Sequence, residues 1–254
     1  MMPLLEVSAL SIHFGGVKAV QDVSFNIDAG VVYAVIGPNG AGKTTLFNLI
    51  TGLYRPTHGD IRLDGETIAG RSPEALARRG VARTFQNLQV CMNMSALENV
   101  MVGAHLRLDR NLLKAALRFP SLARRDAELR DEAAELMRFV GLADYLSARA
   151  DAMPYGALKR LEIARALAMR PRLLFLDEPA AGLNPSETLE VDALVRRIAD
   201  SGVTVVLVEH DMKMVMNLSD RILVLDYGRK LAEGSAAEVR RNPDVIAAYL
   251  GAHA

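Results

Sequence analysis

The sequence predicts an α/β fold: a core built on a parallel sheet, with a helical lobe set into the chain. Three observations carry this. Short, almost wholly apolar runs stand at "VVYAVIG", "RLLFLD", "VTVVLVE" and "RILVLD", as strands covered on both faces should. Helical spacers separate the last three, the alternation that right-handed crossovers turn into a parallel sheet. Between the first run and the rest lies a long stretch whose apolar spacing is helical.

Taken in order, "LLEVSAL" and "DVSFNI" open the chain as β-rich runs, and "VVYAVIG" (31–37) is the first buried strand. A glycine-rich turn follows, then a helix candidate "KTTLFNLITGL". From Ser95 to about Leu146 the residues are rich in Ala, Leu, Arg and Glu at helical spacing, interrupted at Pro120, where a missing backbone donor disfavours a continuous helix. The strand candidates at 172–177, 203–209 and 221–226 complete the core, and "SAAEVRRNPDVIAAYLGAHA" predicts one or two short terminal helices.

The 254 residues can bury a substantial apolar interior. Thirty basic residues balance thirty acidic ones, so no overall field draws the chain to nucleic acid or an anionic surface. The single Cys91 rules out an internal disulfide framework, and "MMPLLEVSAL" lacks the basic and long apolar regions of a signal peptide, which together predict a cytoplasmic location. No uninterrupted apolar run approaches the roughly 18 residues of a membrane span.

"GPNGAGKT", Gly37 to Thr44, fits G-x-x-x-x-G-K-[ST] and lies between an apolar strand and a helix start, the context such a phosphate loop requires. Gly37, Asn39, Gly40, Ala41 and Gly42 form the cradle. Its glycines let successive N–H groups turn toward phosphate oxygens, and the helix opened by Lys43, Thr44 and Thr45 adds its positive end. Lys43 is placed to reach the β/γ-phosphates and Thr44 to offer its hydroxyl to Mg²⁺. "LLFLDEP" delivers Asp177 and Glu178 at a strand's carboxyl end, where open parallel sheets bind ligands. Adjacent residues of an extended chain face opposite ways, so Asp177 is assigned to the metal through water and Glu178 to an attacking water as general base. A strand ending in Asp-Glu is by itself commonly a solvated strand end; the phosphate loop gives the pair its meaning.

With these motifs the chain resembles the nucleotide-binding subunit of an ABC transporter from its first strand to its last helix. The resemblance implies a P-loop NTPase core with an N-terminal antiparallel β subdomain, residues 1–86 and 170–254 forming the catalytic core and 87–169 the helical subdomain. It implies that Phe14, in "HFGGVKAV", stacks on adenine. Gln86, in "RTFQN", touches Mg²⁺ and the attacking water, and His210, in "VLVEHD", contacts the γ-phosphate. "AAGLNP" matches the loop after the second carboxylate, with Asn184 in place of the more usual aspartate. "PYGALKR" occupies the place of the Leu-Ser-Gly-Gly-Gln signature, which acts on nucleotide held by the opposing subunit. Gly156 keeps the second glycine, while Pro154, Tyr155 and Ala157 depart from the pattern.

The Tyr-Gly form of that loop, "DEPAAGLNP", "FGGVKAV" and the closing "NPDVIAAYLG" resemble the subfamily importing branched-chain amino acids. This implies ATP and Mg²⁺ as cofactors, a second ATPase subunit in a head-to-tail pair that is a heterodimer, two transmembrane permease subunits, a periplasmic solute-binding protein reached indirectly, and a peripheral position on the cytoplasmic face of the membrane. No nucleic acid is expected. A lipid-extraction or export ATPase and a soluble ABC ATPase share the same core and are the rival readings. The segment Ala104 to Arg130, with seven basic residues against three acidic, reads either as a solvated amphipathic hairpin or as a surface docking near membrane subunits or head groups.

Overall fold

The computed structural model describes residues 2–107 and 120–251. Two sheets organise it. The first is antiparallel, ordered β2-β1-β4-β5, from β1 (Leu5–Phe14), β2 (Val17–Ile27), β4 (His58–Leu63) and β5 (Glu66–Thr67). Its strands alternate buried and exposed positions, as strands with one face on a core do. Ala9 sits at φ +48°, where both pairings of β1 shift register, and marks a bulge.

The second sheet is ordered β10-β9-β3-β8-β7-β6. Strands β3 (Val32–Ile36), β6 (Val81–Arg83), β7 (Leu173–Asp177), β8 (Thr204–Val208) and β9 (Arg221–Asp226) run parallel, and β10 (Arg229–Gly234) closes the edge antiparallel to β9. The expected parallel sheet is therefore mixed at one edge. Every residue of β3, β7 and β8 is buried, and the side-chain period of two deals them to two separate cores. Tyr33, Val35, Leu173, Phe175, Val206 and Val208 face the antiparallel sheet together with Leu46 and Phe47 of α1 (Lys43–Ile50). Val32, Ala34, Ile36, Leu174, Leu176, Val205 and Leu207 face the opposite way, onto helices. That division explains why these runs read as unbroken apolar stretches.

The helices on the second face are α3 (Ala96–Gly103), α4 (Pro120–Phe139), α5 (Tyr155–Leu167), α6 (Pro185–Asp200), α7 (Met212–Leu218), α8 (Ala236–Arg241) and α9 (Pro243–Gly251), while α2 (Pro73–Ala77) sits beside β6. Where the sequence predicted one or two terminal helices, the structure has two, α8 and α9. Among the described residues the chain between β6 and β7 contains no strand, only an isolated bridge between Ser95 and Arg149. Ser95 and Glu98 form a capping box that starts α3. Of the basic segment 104–130, residues 108–119 lie outside the described residues; at its flanks Arg107 pairs with Glu132 at 2.7 Å, and Arg124 and Arg125 both pair with Glu128. Within the described residues no helix is long and apolar enough to cross a membrane.

Helix α3 approaches α5 so closely that a Cβ added at Gly103 would lie 2.0 Å from the Arg165 carbonyl oxygen. A backbone atom cannot rotate away, so Gly103→Ala must spread the two helices. The expected cost is about 1–3 kcal/mol, seen as a lower urea midpoint at unchanged slope; an unmoved midpoint would contradict this helix contact.

Candidate nucleotide-binding and active site

The loop after β3 folds against the neighbouring strands at two glycines. A Cβ at Gly37 would come 2.1 Å from the Leu225 carbonyl oxygen of β9, and one at Gly42, which has φ +99°, would come 2.6 Å from that of Ala19 in β2. Both positions exclude a side chain, the second by conformation as well as space. Lys43 follows directly and turns back across the loop, its Nζ donating to the carbonyls of Gly37 at 2.7 Å and Pro38 at 3.0 Å. An ammonium has three donors; two brace the loop and the third is free for a ligand. Burial lowers the Lys43 pKa from its ordinary value, with the Glu178 charge acting the other way.

A cleft of about 680 Å³ opens over this loop. Asn39 to Thr45 form one wall, Gly16 to Ala19 and Gln21 another, and Gln86, Glu178 and His210 stand opposite, with Tyr227 and Gly228 at the rim. The structure thus gathers residues from six separate stretches of sequence, including seven of the predicted site residues in one run. The turn between β9 and β10 is locked to this site: the Gly228 N–H donates to the Ala41 carbonyl at 3.0 Å, and the Gln21 N–H donates to the Gly228 carbonyl at 2.7 Å.

The two carboxylates at the end of β7 part company. Asp177, 5% exposed, points inward, where its Oδ2 accepts from Arg83 Nη2 at 2.8 Å. Arg83 also donates to Asn48 and Thr51 at the end of α1 and lies over the rings of Phe47 and Phe85. Asp177 does not line the cleft. Glu178 does, and strand alternation is not the full reason: its φ of +50° is left-handed, so the chain turns sharply there and throws the carboxylate over the phosphate loop. Glu178 Oε1 lies 2.9 Å from His210 Nε2, and Oε2 accepts from Gln86 Nε2 at 3.2 Å. The three predicted polar groups form one hydrogen-bonded line across the cleft.

Sequence reasoning missed the groups behind that line. Buried Glu209 accepts from the N–H groups of Ala180 at 2.8 Å and His210 at 3.1 Å, tying the loop after Glu178 to the loop carrying His210. Burial raises its carboxyl pKa, with Glu178 adding to the effect. Arg83, Lys159 and Glu162 were missed likewise. Arg83 has one local signal, a charge at the end of the apolar run of β6, which implies a partner without naming it; Lys159 and Glu162 sit among other charges in α5 and have none.

Other predicted residues lie elsewhere. Phe14, 45% exposed, meets Tyr54 edge-on with ring centroids 5.2 Å apart and is not among the cleft-lining residues. Pro154 is the N-cap of α5 without a side-chain hydrogen bond. Tyr155 is partly exposed, whereas Gly156 and Ala157 are buried. A Cβ at Gly156 would lie 2.5 Å from Glu187 Oε1. Asn184 caps α6, its Oδ1 accepting from Ser186 and Glu187 N–H at 3.0 Å each, a role asparagine fills as well as aspartate.

Residues 20–181 match the model of the family described as ABC transporter, and residues 229–254 match that described as branched-chain amino acid ATP-binding cassette transporter. The chain is 48% identical over 250 residues, covering 98% of each sequence, to the high-affinity branched-chain amino acid transport ATP-binding protein BraF of Pseudomonas aeruginosa. It is 44% identical over the same shares to the LivG protein of that description in Escherichia coli. Among solved structures it resembles an ATP-binding cassette of an ABC transporter in its ADP conformation, with TM-score 0.86, 29% identity, and 99% of this chain and 100% of that one covered. A nucleotide-free cassette from an ABC transporter gives TM-score 0.85 at 30% identity, covering 98% and 99% of the two chains. A phosphate loop faced by a carboxylate, a histidine and a glutamine, on a chain matched from end to end by such relatives, places this protein in the ABC transporter family as one of its ATP-binding cassettes.

Proposed function

We propose that this cassette hydrolyses ATP to power the uptake of branched-chain amino acids or related small solutes. It works as one half of a head-to-tail ATPase heterodimer on the cytoplasmic face of the membrane, beneath two permease subunits that receive solute from a periplasmic binding protein. The observation that carries the catalytic half of this reading is the Gln86–Glu178–His210 line over the phosphate loop. The transport half is supported by relatives named for branched-chain amino acid transport at 44–48% identity over nearly the whole chain, which favours import over the export and soluble alternatives.

The residues divide the work by chemistry. Asn39 to Thr45 hold phosphate oxygens through N–H groups and the positive end of α1, and Lys43 adds a cation. Glu178 is the general base: a water beside it loses its proton to Oε1 or Oε2 as its oxygen bonds to the γ-phosphorus, and the bond from that phosphorus to the β–γ bridging oxygen breaks, so that ADP leaves with the electron pair and phosphate is released. His210 and Gln86 fix the carboxylate at both oxygens and are themselves donors toward the phosphoryl group. Mg²⁺ fits the donors present. Thr44 and Gln86 supply neutral oxygens at the cleft, and no group of three or more His, Cys, Asp or Glu among the described residues makes an all-protein cage, which suits a cation held mainly by phosphate oxygens and water. Asp177, engaged by Arg83, would reach it only through water. Phe14 would meet the adenine at the open end of the cleft, and the α5 N-terminus with Gly156 would face nucleotide on the partner. The span 87–169 is taken as the unit that converts nucleotide state into a movement at the membrane.

Lys43→Ala is expected to weaken ATP binding tenfold or more, since one charge-assisted contact is worth about 1.5–3 kcal/mol; titration with a fluorescent ATP analogue measures it, and undiminished affinity would refute the loop's role. Glu178→Gln should retain ATP binding while turnover falls by about 10²–10⁴-fold. Normal hydrolysis by that variant would assign the base elsewhere. Single cysteines along Asn87 to Val102 should cross-link to the permease in an ATP-dependent manner, and cross-links indifferent to ATP would contradict the transmission role of that segment.

A further inference from the structure

One face of α5 is turned inward and carries charge. Lys159 is 3% exposed and Glu162 is buried beside it, and with Arg165 they recur every three residues, which sets them on one side of the helix. Such groups are costly to bury without partners. Their hydrogen-bond partners are backbone groups, all but one of them in the short segment 85–89. Glu162 Oε1 accepts from the N–H groups of both Phe85 and Gln89, at 3.4 Å each. Arg165 Nη1 donates to the Gln89 carbonyl. Lys159 Nζ approaches the carbonyl oxygens of Gln86 at 3.5 Å and Glu178 at 3.4 Å, and lies 5.8 Å from the centre of the Tyr155 ring.

The segment so held is the one whose Gln86 side chain reaches Glu178. Its backbone has no sheet or helix to fix it: residues 84–95 lie between β6 and α3. Helix α5 supplies the missing hydrogen-bond partners, and the same helix begins at Tyr155, in the loop that faces the partner subunit on the reading above.

We propose that Lys159, Glu162 and Arg165 are positioning residues that clamp segment 85–89 so that Gln86 stays on Glu178. The inference rests on the proposed ATPase function. It extends that function by naming side chains outside the phosphate loop that fix where Gln86 stands. A ligand that draws Gln86 toward a phosphate must pull on the segment, and through two carbonyls, two amides and a buried carboxylate on α5.

The clamp works through the Glu162 oxygen as an acceptor, so Glu162→Gln, which keeps an Oε1 acceptor, and Glu162→Leu, which removes it, must differ. In the purified transporter assembled with its partner ATPase and permease subunits, with Mg²⁺ and ATP, Glu162→Leu is expected to lower kcat about tenfold or more with KM within about threefold, because Gln86 is misplaced while the phosphate loop is untouched. Hydrogen exchange at the amides of Phe85 and Gln89 should quicken in the same variant. Glu162→Gln should stay within about threefold of the parent in kcat and keep those amides protected. Lys159→Met, which strips the bonds to Gln86 and Glu178, carries the expectation of Glu162→Leu and serves if the leucine variant fails to fold. Wild-type kcat in a folded Glu162→Leu or Lys159→Met, equal damage from Gln and Leu, or a loss shared by affinity and turnover would overturn the clamp. An assembled parent transporter that hydrolyses no ATP would instead overturn the function on which it rests.

Discussion

A sheet buried on both faces leaves the protein one place for chemistry. Strands β3, β7 and β8 have no exposed residue, so the polar groups that face the cleft are not on their mid-strand positions and gather where the strands end. Each of the three stops at its carboxyl edge and hands over to a functional loop: β3 to the phosphate loop, β7 to Glu178, β8 to Glu209 and His210. The parallel pairing fixes the spacing of those ends, Asp177 opposite Val208 and Val35 opposite the same residue. The placing of Glu178 and His210 over the phosphate loop is therefore set by strand register, and a slip of one residue in any pairing would turn its side chain to the wrong face.

Charge buried just under that edge holds the loops in place. The Arg83–Asp177 pair crosses from β6 to β7 and reaches α1 through Asn48 and Thr51, so it knits the phosphate-loop helix to the carboxylate strand. A buried pair adds little net stability, but losing one partner costs about 3–5 kcal/mol because the other charge is stranded. Glu162 and Glu209 do a related job with backbone amides as partners, each accepting from two separate points on loops that lack ladder bonds. Burial pushes both carboxyls up in pKa while those amides pull them down. The loops of this site are thus built as rigid walls pinned from behind, which is what preorganised electrostatics require.

Legibility in the sequence followed from how local each signal was. The buried strands were plain because both faces demand apolar residues, and the phosphate loop because its glycines, lysine and threonine are contiguous. Strands β4, β6 and β10 went unread: they are short, lie at edges or on a half-exposed sheet, and carry the charges of "HGDIRL", "VAR" and "RKLAEG". Asp177 and Glu178 were seen as a pair, yet their division depends on a left-handed backbone at Glu178 that no propensity scale assigns to glutamate. Arg83, Lys159 and Glu209 were invisible for a different reason. Their meaning lies in contacts across tens of residues of chain, and a charge in a helix such as "ALKRLEIARAL" looks the same whether it faces water or a buried loop.

The altered signature loop follows from the same constraint. Read as sequence, Pro154 and Ala157 look like lost ligands, a missing hydroxyl and a missing amide. In the fold Ala157 is 3% exposed, so a side chain there points into packing, and Gly156 leaves no room for a Cβ against Glu187. Glu187 is fixed in turn, its N–H and carboxylate both tied to the cap residue Asn184. What the loop offers outward is Tyr155 and the first amides of α5, whose N-cap proline makes no competing side-chain bond, unlike the capping boxes that cover α3, α6 and α8. Uncapped amides at a helix start favour an anion by charge and by geometry together. On the function proposed above, the change from the usual pattern would shift nucleotide recognition from side chains to backbone, and between positions 154 and 157 the penalty would fall on 154, with its lost hydroxyl.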